Sequence, residues 1–153
     1  MCSLKPLLSF LHTSEQPTVP ASLSYPAGAE NDIYLSDGVV LGEDVSIGPF
    51  TQLIGSVHLG AGVKIIGNCV IDGTEGLVTI GAGTKIEPHT LIVGPAIIGA
   101  NSEIRAKCSF RKSECGSGCV LIGEIEECAI GNNLRTRPGC VMFQSIIGNG
   151  CKV

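Results

Sequence analysis

Large aliphatic residues recur every six positions over the stretch from Leu35 to Ile71. The members of this series are Leu35, Leu41, Ile47, Leu53, Leu59, Ile65 and Ile71. A period of six matches neither the helical turn of about 3.6 residues nor the simple alternation of an isolated strand. Short repeats of this kind are typical of a parallel β-helix, in which each coil stacks on the one before it. The sequence therefore predicts an all-β solenoid.

Two other slots of each hexad carry their own residue types. Four residues after each aliphatic comes a small or β-branched residue: Val45, Thr51, Val57, Val63 and Cys69. The slot before that one holds Asp44, Gly62 and Asn68, which tolerate the positive φ of a corner. Glycine directly follows several of the aliphatics, at Gly42, Gly48 and Gly60, and we expect it to help the backbone bend. Each hexad is then one flat side, and three sides close a coil of eighteen residues.

The repeat continues to the end of the chain with two irregularities. The segment Asp72 to Val78 adds three positions and is expected to form a loop at a corner. After it the large slot holds Ile80, Ile86, Ile92, Ile98, Ile104 and Phe110, and the small slot holds Thr84, Thr90, Ala96, Ser102 and Cys108. From Arg111 the register slips, with large residues at Leu121, Ile125, Ile130, Thr136, Met142, Ile147 and Val153. We predict about six coils over residues 33–153, preceded by a short N-terminal cap or linker at residues 1–32.

Composition restricts the classes of function. A net charge of −4 gives no overall electrostatic argument for nucleic acid, and no apolar stretch reaches the length of about 18 residues that spans a membrane. Five of the eight cysteines fall on the small inward slot, where a thiol is a small apolar group: Cys69, Cys108, Cys119, Cys140 and Cys151. Cys115 and Cys119 have a zinc-compatible gap, but no second pair at metal spacing answers them. Reduced cysteines and a cytoplasmic location are the prediction, with no metal expected.

The hexad of large aliphatic, glycine, two variable residues, small residue and one variable residue resembles the hexapeptide-repeat transferases. That resemblance implies a single-stranded left-handed parallel β-helix. The segment 94–111 and the ending 145–153 are similar to the C-terminal β-helix of sugar-phosphate nucleotidyltransferases, including the bifunctional enzyme that acetylates glucosamine 1-phosphate and then uridylylates it. The segment before the repeat shows no Gly-rich nucleotide loop, so we do not expect nucleotidyl transfer from this chain alone. The histidine that serves acetyl transfer in the bifunctional enzyme also lies in a stretch without a match here.

The resemblance implies a histidine base and a coenzyme A thioester, such as acetyl-CoA, as the acyl donor. His12 precedes the repeat, His58 occupies an outward slot, and His89 occupies a corner slot, so His89 and His58 are the candidate bases. An ordinary corner or surface position would also explain each of the two. The same fold includes a three-histidine zinc carbonic anhydrase, but His12, His58 and His89 have no closely spaced pair, which disfavours that alternative.

Basic residues concentrate in the last third of the chain. From this cluster we select Arg105, Lys107, Arg111, Arg135 and Arg137 as candidates to hold the phosphates of coenzyme A or of a sugar nucleotide. Arg105 and Arg111 are six residues apart, and Arg135 and Arg137 are expected to flank a corner. An ordinary solvated surface is the alternative explanation of this cluster.

Two functions remain open from the sequence. The first is an acyltransferase that acts as a homotrimer and moves an acetyl or longer acyl group from coenzyme A to an amino sugar or nucleotide sugar. The second is a non-catalytic β-helix that trimerises or regulates a protein similar to a sugar nucleotidyltransferase.

Overall fold

A computed structural model describes residues 32–153 as a continuous series of short strands. The predicted cap or linker at residues 1–32 therefore lies outside the described residues, apart from Asp32. The strands are β1 (Tyr34–Leu35), β2 (Val39–Leu41), β3 (Ser46–Ile47), β4 (Gln52–Leu59), β5 (Lys64–Ile65), β6 (Val70–Ile80), β7 (Lys85–Ile86), β8 (Leu91–Val93), β9 (Ala96–Ile98), β10 (Glu103–Ile104), β11 (Ser109–Arg111), β12 (Glu114–Cys115), β13 (Val120–Leu121), β14 (Glu124–Glu126), β15 (Ala129–Ile130), β16 (Val141–Phe143) and β17 (Ile146–Ile147).

All the strand pairs of the described residues are parallel, and each strand in the middle of the stack pairs with the strands one coil before and one coil after it. We call the three sides of the prism face 1, face 2 and face 3. Face 1 stacks β1, the start of β4, the start of β6, β8, β11, β14 and β16. Face 2 stacks β2, the end of β4, the end of β6, β9, β12, β15 and β17. Face 3 stacks β3, β5, β7, β10 and β13 and continues through isolated bridges at Arg135 and Lys152. The prediction of a parallel β-helix of about six coils is confirmed.

The interior holds the predicted large and small slots. Ile47, Leu53, Ile86, Ile92 and Phe110 are each 0% exposed, and every residue predicted for the small slot of the first two blocks is buried. Val153 continues the inward column of Leu121 and Thr136 but is 45% exposed. Val153 lies in the last described coil and has a neighbouring coil on one side only.

The corners confirm one prediction about backbone shape and correct another. Asp44 and Asn68 have φ of 55° and 51°, and Gly62 has φ of 70°, as expected of corner residues. The glycines that directly follow the aliphatics do not serve to bend the chain. A Cβ at Gly42 would come within 2.6 Å of the Ala61 backbone nitrogen one coil above, so this glycine permits close stacking of the coils.

The insertion at Asp72 to Val78 is present, but it is extended rather than a separate turn. Gly55 pairs with Gly73 and Val57 with Val78, so the three extra residues lie within β6. A later coil is shortened instead. Ser109 pairs with Glu124 fifteen residues on, whereas Gln52 pairs with Val70 eighteen residues on. This shortening explains the slipped register after Arg111.

The cysteine prediction holds for three buried positions and extends to two more. Cys69, Cys108 and Cys119 are buried, while Cys140 and Cys151 are partly buried in the last coils. Cys115 and Cys128 are also buried, with Cys115 in the large slot between Ile98 and Ile130. All seven cysteines of the described range are free thiols. Over the same range, no helix is long and apolar enough to cross a membrane.

Candidate functional site

Four of the predicted site residues lie along the edge between face 3 and face 1. We call His89, Lys107, Arg105 and Arg137 the cationic edge. His89 occupies the corner with φ of 61°, and its backbone N–H donates to the Asn68 carbonyl at 2.9 Å. One coil further, the Lys107 N–H donates to the Pro88 carbonyl at 3.2 Å. The backbones of these two corners are therefore about one strand spacing apart, roughly 4.8 Å.

The two arginines of the cationic edge belong to the neighbouring column of residues. The Arg105 N–H donates to the Leu121 carbonyl at 2.7 Å, and the Arg137 N–H donates to the Val153 carbonyl at 2.9 Å. Ile122 lies between the two arginines in this column. The strand register places Arg105 opposite Ile122 and Ile122 opposite Arg137 on successive coils. Arg105 and Arg137 thus lie on the same edge as His89, one coil and three coils away from it.

A partly buried carboxylate anchors this edge. Glu87, with 20% of its side chain exposed, accepts a hydrogen bond from the Ala106 N–H at 3.0 Å. The Glu87 carboxylate also lies 3.5 Å from the Lys85 ammonium and 3.9 Å from the Arg105 guanidinium. Burial alone would raise the pKa of Glu87, but the Ala106 hydrogen bond and the two cations outweigh it and lower the pKa. Glu87 is therefore a fixed anion two residues before His89.

The cations of the edge differ in how far they are neutralised. Arg105 Nε lies 3.0 Å from Glu103 Oε1, in addition to its contact with Glu87. Within residues 32–153, Lys107 and Arg137 have no ion pair and no side-chain hydrogen bond. Lys107 and Arg137 are thus available to an anionic ligand, while Arg105 is held in place.

The other predicted site residues lie elsewhere. Arg135 points outward on face 3 between Val120 and Lys152. The expectation that Arg135 and Arg137 flank a corner is wrong, because they flank the buried Thr136 and alternation turns both outward. Arg111 ends β11 at the edge between face 1 and face 2. His58 is exposed on face 2, paired with Val40 and Thr79. The structure therefore does not bring the two candidate histidines together.

A groove of about 690 Å³ lies on face 2 and its edge with face 1. Its floor is one outward column of paired residues on successive coils: Thr79, Ile97, Glu114, Ala129 and Ile146. Ile97 is 51% exposed and Ile146 is 92% exposed, so the floor presents apolar surface to solvent. His58 pairs with Thr79, one coil before the groove begins.

Charged side chains of the groove have unequal partners. The Lys112 ammonium lies 3.6 Å from Glu75 Oε2, and Gln144 Nε2 donates to Glu127 Oε2 at 2.8 Å. The Glu114 carboxylate has neither an ion pair nor a hydrogen bond in the part of the chain that the structure describes. Sequence reasoning missed this groove because it followed the inward slots. The outward column that forms the floor becomes visible only when strand pairing is known.

No group of three or more metal-ligating side chains is present in residues 32–153. His58 and His89 lie on different sides of the prism, and His12 lies outside the described residues. The pKa values of the buried thiols shift in different directions, since a side-chain hydrogen bond with Cys115 lowers the pKa of Cys119. Burial raises the pKa of Cys69, and burial with the nearby Cys140 raises the pKa of Cys108 to about 12.

No known family profile matches the chain. Several curated proteins do resemble it in sequence. An acyl-[acyl-carrier-protein]–UDP-N-acetylglucosamine O-acyltransferase of Brucella ovis is 38% identical over 100 residues, covering 57% of this chain and 35% of that protein. The bifunctional protein GlmU of Stenotrophomonas maltophilia is 36% identical over 70 residues, covering 44% and 15%. The mitochondrial gamma carbonic anhydrase 1 of Arabidopsis thaliana is 32% identical over 75 residues, covering 42% and 27%.

The chain spans well under half the length of each of these relatives. Acyltransferases are among them, but the partial alignments do not identify the activity of this chain. Among solved structures, perosamine N-acetyltransferase from Caulobacter crescentus aligns at a TM-score of 0.43 and 12% identity, covering 74% of this chain and 53% of that one. At that score the superposition supports no conclusion. The similarity to hexapeptide-repeat proteins rests instead on the sequence relatives, on the hexad and on the parallel coils.

Proposed function

Because the chain belongs to the hexapeptide-repeat superfamily of left-handed parallel β-helices, we propose that it is a coenzyme A-dependent acyltransferase. The reaction transfers an acyl group, acetyl in the simplest case, from the thioester to an amino sugar or a nucleotide sugar. The observation that carries this proposal is the cationic edge, where His89 lies one coil from Lys107 and from Arg105, and Arg137 lies two coils further along the same edge. The acyltransferase among the relatives supports the same class of reaction.

The donor's phosphates are assigned to the cationic edge. Lys107 and Arg137 supply unpaired positive charge, and charge-assisted hydrogen bonds to phosphate are strong. Arg105 is held by Glu103 and Glu87, so it adds a positioned guanidinium rather than a full free charge. Arg135 lies next to the edge on face 3, whereas Arg111 could reach the same donor only from a neighbouring subunit.

His89 is assigned as the general base. Its imidazole has no hydrogen-bond partner within residues 32–153, so either ring nitrogen can face the acceptor. The acceptor's nitrogen or oxygen attacks the thioester carbonyl while His89 takes its proton. The carbon–sulfur bond then breaks, and the imidazolium returns that proton to the leaving thiolate of coenzyme A. An imidazole suits both steps because its ordinary pKa lies near neutrality.

The proposed assembly is a homotrimer, with each site completed by an adjacent prism. Exposed apolar side chains support packing between subunits: Phe50 is 60% exposed, Val40 is 55% exposed and Phe143 is 55% exposed. The free thiols of the described range favour a reducing compartment, and we place the protein in the cytoplasm. Light scattering tests the assembly, and a monomer would contradict it.

Calorimetry with coenzyme A and acetyl-CoA tests the donor assignment. We expect wild-type protein to bind both, and K107A/R137A to bind about tenfold more weakly because two phosphate contacts are lost. The matched control is Lys64→Ala, which removes an exposed cation from face 3 away from the edge. Absence of heat and of any thermal shift at millimolar ligand would refute the acyltransferase. A trimer that binds no coenzyme A would instead support the non-catalytic β-helix.

A further inference from the structure

We propose that the groove on face 2 binds a small amphiphilic amine, with the ammonium group at Glu114 and the apolar part along Ile97, Ala129 and Ile146. This binding site is separate from the cationic edge and does not depend on acyl transfer. The ligand class follows from the shape, the apolar surface and the charges of the groove.

The apolar component comes from the floor. Ile97 and Ala129 flank Glu114 on the neighbouring coils, because Glu114 pairs with both. Leu77, which the insertion in β6 adds to the groove, is 43% exposed. A volume of about 690 Å³ is within the range of small-molecule sites. Burial of a ligand's methylenes against these side chains would favour binding in proportion to the area removed from water.

The ionic component comes from the imbalance of charge. The lining contains two carboxylates, Glu114 and Glu127, and one ammonium, Lys112. Lys112 faces Glu75, and Glu127 accepts a hydrogen bond from Gln144. Within residues 32–153, Glu114 is the carboxylate of the lining that has no partner, and it lies between the apolar Ile97 and Ala129. A cation is therefore the ligand charge that the groove complements, whereas a carboxylate or phosphate would meet repulsion.

The placement of Glu114 also determines the geometry of the ligand. It is at the middle of the five-residue floor column, with Thr79 and Ile97 before it and Ala129 and Ile146 after it. A charge at one end of a short alkyl chain can thus contact Glu114 while the chain lies along either half of the groove. A primary ammonium fits this position because it is compact and can donate to a carboxylate oxygen from several directions.

The test titrates three probes, hexylammonium, hexanoate and butylammonium, into the whole protein. Backbone amide shifts in NMR spectra measure the binding of each probe. We expect hexylammonium to bind about tenfold more tightly than hexanoate. This factor combines a modest attraction between Glu114 and the ammonium with a modest repulsion between Glu114 and the carboxylate, both weakened by solvent exposure. Butylammonium should bind about fourfold more weakly than hexylammonium, because it buries less hydrocarbon in this open groove.

Two isosteric variants make the test specific. Glu114→Gln should reduce the preference for hexylammonium over hexanoate to less than about twofold while the chain-length dependence remains. Glu124→Gln, an exposed carboxylate on face 1, should leave the preference unchanged. Equal binding of hexylammonium and hexanoate to wild type, or an undiminished preference in Glu114→Gln, overturns the proposal. Neither outcome bears on coenzyme A binding, so this proposal and the acyltransferase can fail separately.

Discussion

The cationic edge and the groove are products of the same repeat, but they are built from different slots and carry opposite chemistry. The edge uses corner and corner-adjacent positions, where His89 and Lys107 adopt positive φ. The groove uses outward strand positions, where Ile97 and Glu114 pair across coils. In a solenoid each column is one residue wide, so the residue types of that column alone determine the chemistry of the surface. Neighbouring columns can therefore differ in charge and apolarity without disturbing the core.

The two histidines give the largest expected contrast between these regions. His89→Ala should lower acyl transfer by about 100-fold or more, the usual contribution of a general base. His58→Ala, in the ladder that leads to the groove, should change the rate less than about threefold. Mass spectrometry of acetylated product formed from acetyl-CoA and a panel of amino sugars measures both rates. Equal rates for the two variants would remove the distinction between edge and face 2.

Adjacent isoleucines provide the next contrast, between the interior and the floor of the groove. Ile98→Ala should reduce the free energy of unfolding by about 2–5 kcal/mol, because the buried side chain leaves a cavity. Ile97→Ala, at 51% exposure, should change it by less than about 0.5 kcal/mol. Urea denaturation of both variants measures the difference. A large loss in Ile97→Ala would show that the floor is a packed surface rather than an open one.

Much of this comparison was predictable from the sequence, and the reason is physical. Inward slots must be apolar and corner slots must allow positive φ, so Ile86 and His89 could be assigned by spacing alone. Outward slots have no such requirement, and their grouping depends on which residue pairs with which. The shortened coil after Ser109 changes that pairing, which is why Arg135 and Arg137 were misplaced around a corner. The groove was missed because its floor is an outward column, whose members can be grouped only once the strand pairing is known.

Two carboxylates give the smallest contrast, one from each region. Because the folded-state pKa of Glu87 is lowered, its stabilising effect is present above the unfolded pKa and is lost as the pH falls through the folded pKa. Glu87→Gln should therefore cost about 1 kcal/mol at pH 7 and progressively less below about pH 4. The unpartnered Glu114, changed to Gln, should leave stability nearly constant across that range. Thermal or urea unfolding at several pH values compares them, and a Glu87→Gln loss that is independent of pH would contradict the anchoring role of Glu87.

The most direct test of the account is to locate coenzyme A on the surface. Backbone amide shifts in NMR spectra recorded during a coenzyme A titration report which column the ligand contacts. We expect shifts centred on Asn68, His89 and Lys107, with little change at Ile97, Glu114 and Ala129. Shifts centred on the groove residues, with the cationic edge unaffected, would contradict it.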